Sequence, residues 1–176
     1  MTRRTRNLGT GFGVAAVAAM LLAAGPASGQ TAKASLLGAD GKETGMATFT
    51  QTPSGVLLKV AVKGLPAVEN AQRVPAHPKR QAPVNPAGRH FKPHNKKHGL
   101  MAADGHHAGD MPNLTIPQSG ELTAEGLNAA ITLDKGKPNS LFDADGSALV
   151  IHAGKDDYKT DPTGDAGGRI ACGVIQ

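Results

Sequence analysis

The sequence predicts an all-β domain, a sandwich or barrel of short strands, preceded by a removable leader. Three observations predict it. Short runs of apolar and β-branched residues recur from Lys33 onward, each bounded by Gly, Pro, Asn, Asp or Ser. Neither a long amphipathic helical period nor an internal repeat interrupts them. Once the leader is set aside, roughly 145 residues remain, enough for one domain with its own core and too few for two.

The leader comes first. Residues 1–30 read as a signal peptide and 31–176 as the mature domain. Arg3, Arg4 and Arg6 form a positive n-region, residues 11–24 are an alanine-rich apolar run, and Gly25, Ala27, Ser28 and Gly29 offer small residues for cleavage. The run is shorter than the ~20 residues a membrane helix needs, so export to the periplasm or medium is expected, with no span left after cleavage. Those three arginines carry three of the formal +5 charges, which leaves +2 on the mature chain. With 3% aromatic residues and no RNA-binding signature, a nucleic-acid partner is not expected.

The strands follow in order. Residues 45–51 alternate and contain β-branched side chains, and Thr52-Pro53-Ser54-Gly55 reads as a turn. Residues 56–62 then form a second strand with Leu58, Val60 and Val62 on one face, so the pair predicts an antiparallel hairpin. From 63 to 111 the chain is rich in Pro, Gly, His, Lys and Asn without an apolar period; a loop this long is expected to be functional or disordered. Further strands are predicted at 114–116, 127–133, 148–152 and 170–175, with a loop rich in Asp and Gly between the last two.

Six of the seven histidines fall between His77 and His107, and the seventh is His152. Composition alone would fit a solvated tract with loose metal affinity. The spacing points further: His90, His98 and His107 stand eight and nine residues apart, and Asp110 follows three after His107. Three imidazoles and one carboxylate make a tetrahedral set that suits zinc.

These residues sit in motifs that resemble the copper/zinc superoxide dismutases. Gly88-Arg89-His90-Phe91-Lys92-Pro93, Lys97-His98-Gly99 and His107-Ala108-Gly109-Asp110-Met111-Pro112-Asn113 are similar to that family's zinc loop. The run from Leu149 through His152 to Asp156, Asp157 and Tyr158 resembles its second copper-ligand segment. The end, from Gly164 through Arg169 and Cys172 to Ile175, resembles its terminal signature. Asp157-Tyr158 and the export signal resemble the bacterial periplasmic branch.

The resemblance implies a Greek-key β-sandwich or flattened barrel with long metal-binding and electrostatic loops. It also implies roles. His90 would bridge zinc and copper, His98, His107 and Asp110 would complete the zinc shell, and His152 would bind copper alone. Asp156 would fix the tautomers of ligand histidines by accepting their hydrogen bonds. Arg169 would draw superoxide toward the copper, an attraction for which this enzyme is a standard illustration. Copper would supply the redox step that converts superoxide to dioxygen and hydrogen peroxide; zinc, being d10, would position and polarise the bridge. Taken without their motifs, Arg169 is as readily a surface ion-pair partner and Asp156 a turn cap. The resemblance leaves a homodimer open.

One segment departs from the family. Gly64-Leu65-Pro66-Ala67 matches, but Asn70-Ala71-Gln72-Arg73-Val74-Pro75 stands where the family has His-Gly/Ala-Phe-His-x-His. Two copper ligands would fall at Arg73 and Pro75, neither of which binds copper through its side chain. His77 is close by, flanked by prolines and out of register. The early family cysteine is also missing, which leaves Cys172 without that partner. As a free residue in an exported chain it would be a buried thiol or an intermolecular bridge. Shifting the codons of residues 71–81 by one base permits a motif like the missing one, so a frame disruption and true divergence both account for the segment. Two functions therefore stand: an exported superoxide dismutase, and a catalytically silent zinc-binding sandwich.

Overall fold

The computed structural model describes residues 29–67, 69–70, 72–73, 90–144 and 146–176. Nearly all of the leader, and His77, lie outside that range. Nine strands are formed among the described residues: β1 Thr31–Gly38, β2 Glu43–Thr52, β3 Gly55–Val62, β4 Glu69–Asn70, β5 Gln72–Arg73, β6 Leu114–Thr115, β7 Leu122–Asn128, β8 Ala148–His152 and β9 Arg169–Val174. Every strand pairing is antiparallel. Seven strands run in the order β5-β8-β9-β1-β2-β3-β7, and β4 pairs with β6 in a second, two-stranded sheet.

Alternation builds the sheet. In β3, Val56, Leu58, Val60 and Val62 are all buried, while Lys59 and Ala61 between them are exposed. Ala47 and Phe49 of β2 and Ala32, Ala34 and Leu36 of β1 continue the same buried face across the sheet. A one-residue slip would carry Lys59 inward and Val60 outward, so this pattern fixes the register. The hairpin turn is closed by Thr52, whose hydroxyl donates to the Gly55 carbonyl (2.9 Å) and accepts from the Ser54 amide (3.2 Å). At φ 129°, Gly55 sits where an added Cβ would meet the backbone of Asn128 and Ala129.

The strand expected at 127–133 forms earlier, as β7. Its inward positions after Leu122 are Ala124, Gly126 and Asn128, too small or polar to advertise a core face, while Leu127 points outward at 52% exposure. The apolar residues that suggested the later strand instead plug the barrel end from a loop. Ile131, Leu133 and Leu141 are fully packed there, held by the Thr132 amide on Asn139 O (3.0 Å) and by Gln51 Oε1, which accepts from the Leu133 amide (2.7 Å).

β8 is buried at all five positions, and β9 joins it to β1. Ile151 and Ala171 face the main core with Phe49, Leu36 and Leu149. Val150 and Cys172 lie on the other face, in a small apolar cluster with Ala148. The backbone of β5 lies beside β8, with Gln72 opposite Ile151 and Arg73 opposite Val150.

Candidate metal centre

The loop after residue 90 is pinned to the sandwich before it offers any ligand. Phe91 is buried in the core, and its carbonyl accepts from the Gly109 amide (3.1 Å). Asn128 at the end of β7 donates from its side-chain nitrogen to the Ala108 carbonyl (2.9 Å), and Met111 is buried beneath Gly126. The turn at Asp110, whose amide donates to His107 O (3.1 Å), brings ligand-bearing residues onto one side.

His90, His98, His107 and Asp110 converge, with one donor atom from each inside a sphere in which no pair exceeds 4.8 Å. His90 Nδ1 and His107 Nδ1 are 3.0 Å apart, His98 Nδ1 and Asp110 Oδ1 3.1 Å, and His107 Nδ1 and Asp110 Oδ1 3.5 Å. Ligands about 2.0–2.1 Å from a tetrahedral zinc stand roughly 3.3 Å from each other, so the donor set fits zinc. The same nitrogen, Nδ1, faces the centre from all three rings, and the ring planes are tilted or edge-on with centroids 5.0–5.7 Å apart.

The surroundings of Asp110 favour its ionised form. Burial alone would raise the Asp110 carboxyl. Hydrogen bonds from His107, His98 and the Gly99 amide (2.9 Å to Oδ2) outweigh that and hold it well below the usual carboxylate range. The carboxylate is thus ready as an anionic ligand.

Around this set stands a further layer. His98 is buried, and its Nε2 lies 2.9 Å from Asp156 Oδ1, so both ring nitrogens are engaged by carboxylates. The His98 amide donates to Asp161 Oδ1 (2.7 Å). Asp156 also accepts from the Tyr158 amide (2.7 Å); it caps its turn and holds the histidine at once. Gly164, at φ 61°, packs so closely that an added Cβ would collide with Asp156 Oδ1 and reach within 2.7 Å of His98 Nε2.

The residues expected on the copper side are arranged separately. His152 ends β8, is buried, and its Nδ1 lies 3.1 Å from the Gly167 carbonyl. Arg169 is its cross-strand neighbour on β9. Neither belongs to the four-residue cluster. Of the four imidazoles the resemblance implies for copper, His90 and His152 would supply two, and residues 70–75 contain no histidine. Cys172 is free and buried, and burial pushes its thiol up, with Arg169 opposing.

Asp161, Asn113, Tyr158 and Gly164 were given no role by sequence reasoning. Asn113 and Tyr158 lie within the motifs quoted above, but only their contacts distinguish them from their neighbours.

Residues 43–175 match the copper/zinc superoxide dismutase family. A superoxide dismutase [Cu-Zn] 2 of Aquifex aeolicus is 45% identical over 166 residues, covering 93% of this chain and 97% of that one. Among solved structures, a mutant of a SOD-like protein from Bacillus subtilis, in which a tyrosine and a proline are replaced by histidine, superposes with a TM-score of 0.77 at 33% identity. That match covers 81% of this chain and 95% of the other. The Cu/Zn superoxide dismutase from Brucella abortus gives 0.66 at 26% identity, over 84% and 100% of the two chains.

Proposed function

Because the chain belongs to the copper/zinc superoxide dismutase family, we propose that it is an exported, zinc-loaded protein acting on superoxide, weakly in the chain as written. The reaction is disproportionation of two superoxide anions and two protons to dioxygen and hydrogen peroxide. The observation that carries this reading is the convergence of half-buried His90 with buried His98, His107 and Asp110 at zinc spacing. In it His90, whose Nδ1 faces the cluster, would help hold zinc, and the resemblance would have it share in holding copper. His98, held by Asp156, is the ligand whose orientation is best fixed. Arg169 beside His152 supplies the cation that attracts a small anion. Residues 1–30 are the export signal, and the mature domain begins near residue 31.

The segment 70–75 limits the reaction. Two imidazoles hold a redox copper loosely and with poorly defined shape. The same observation favours a second reading, a catalytically silent zinc-binding sandwich with a structural or metal-buffering role. One comparison separates them: copper binding and superoxide consumption of the native chain against a chain carrying Asn70→His, Gln72→Phe, Arg73→His and Pro75→His. The first reading expects copper binding and activity to rise in the rebuilt chain, and to require His90 and His152. A rebuilt chain that binds copper without gaining activity would leave the silent reading standing.

A further inference from the structure

We infer that Tyr158 and Asn113 form a clamp that positions Asp156 against His98 and thereby sets how long zinc stays bound. The contacts form a closed circuit between two loops far apart in sequence. Asn113 donates from its side-chain nitrogen to the Asp156 carbonyl (3.0 Å) and accepts the Asp156 amide on its side-chain oxygen (3.0 Å). The Asn113 amide donates to the Tyr158 hydroxyl (2.8 Å). The Tyr158 amide donates to Asp156 Oδ1, the oxygen that faces His98 Nε2. The Tyr158 carbonyl accepts from the Met101 amide (3.1 Å), and Gly99, next to His98, packs so tightly on that carbonyl that a side chain there would collide.

Tyr158 adopts φ 62°, a left-handed conformation that bulky side chains rarely take. Such a conformation persists only where the surroundings over-determine it, and here hydrogen bonds to Asp156, Asn113 and Met101 do so. The clamp matters in this chain because it has a single cysteine, so no intrachain disulfide ties the loops together. Tyr158 reaches His98 through Asp156 and is a positioning residue.

The inference rests on zinc occupying the cluster, and the test separates the two. Zinc release from the loaded protein is timed with a colorimetric chelator for the native chain, Tyr158→Phe, Asn113→Ala and the core control Val60→Ala. Loss of one clamp hydrogen bond in Tyr158→Phe should speed release about threefold to tenfold, and loss of two in Asn113→Ala should speed it at least as much. In labelled protein the His98 Nε2–H resonance should exchange faster with water in the same two. Val60→Ala should lower the urea midpoint and leave release unchanged. A native chain that takes up no zinc overturns both the site and the clamp. Zinc uptake with native release rates in both clamp variants, or equal acceleration by Val60→Ala, overturns the clamp alone. The unaltered chain gives a second readout, because Tyr158 is the only tyrosine and tryptophan is absent. Removing zinc should change tyrosine emission, and emission unchanged by zinc removal also contradicts the clamp.

Discussion

Gly164→Ala puts the coupling between His98 and Asp156 under direct strain. The glycine lies far from the zinc loop in sequence, yet its missing side chain is the space those two groups occupy. An added Cβ would collide with Asp156 Oδ1 and stand 2.5 Å from its Cγ and 2.7 Å from His98 Nε2. Real Cβ atoms do not approach that closely, so the carboxylate must move. Two costs add. Alanine at φ 61° loses about 1–2 kcal/mol. Losing the buried, charge-assisted bond between Asp156 and His98 loses a further 1.5–3 kcal/mol or so. The zinc-loaded protein should therefore be destabilised by about 3–5 kcal/mol in urea unfolding. Zinc affinity, measured by competition with a chromogenic chelator, should fall about 10-fold to 100-fold, as expected when an outer partner of a metal ligand is lost. Gly168→Ala, where an added Cβ meets nothing within 4 Å, is the matched control and should change neither quantity much. Native zinc affinity in Gly164→Ala would show that Asp156 does not hold His98.

Four further outcomes are expected. His98→Ala and Asp110→Ala should each lose most of the bound zinc in metal analysis, and undiminished zinc in both would sink the ligand assignment. Phe49→Ala empties the centre of an aromatic-poor core and should cost about 3–5 kcal/mol in urea unfolding. Cys172 is buried with its thiol pushed up, so it should react slowly with a thiol reagent when native and release one equivalent per chain on denaturation. No reactive thiol in the denatured monomer, with no dimer on a nonreducing gel, would contradict this. Asp157 is held down at about 2, against 3.8, by the Thr160 hydroxyl and amide and the Lys159 amide. Its folded value lies below its unfolded one, so the turn it caps should be intact above pH 4 and be lost as pH falls toward 2. The amide shifts of Lys159 and Thr160 should follow that titration.

Much of this was legible in the sequence because the chemistry is local. The hairpin of residues 45–62 shows its alternation openly, since valine and leucine recur at every second position of β3. The convergence of His90, His98, His107 and Asp110 could be read from spacing because a long histidine-bearing loop has little else to do. β7 was misread because its inward face uses Ala124, Gly126 and Asn128, while Ile131 and Leu133 bury themselves from a loop that makes no strand. The outer partners were not legible for a different reason. Asp161 and Gly164 meet the zinc loop, and Asn113 meets Asp156, only in three dimensions: His98 and Asp161 stand 63 residues apart, and Asn113 and Asp156 stand 43 apart. Nothing in the local pattern of an Asp- and Gly-rich loop marks one aspartate as the anchor of a histidine amide.

The measurement that tests the central claim most directly is zinc-edge X-ray absorption on the purified mature chain, with zinc counted per chain in the same sample. The account predicts one zinc per chain in four-coordinate geometry, with three imidazole nitrogens at about 2.0–2.1 Å and one carboxylate oxygen at about 2.0–2.2 Å. In His98→Ala the zinc-edge signal should fall with the loss of most of the bound zinc. Substoichiometric zinc, or a six-coordinate shell dominated by oxygen and indifferent to that substitution, would contradict it.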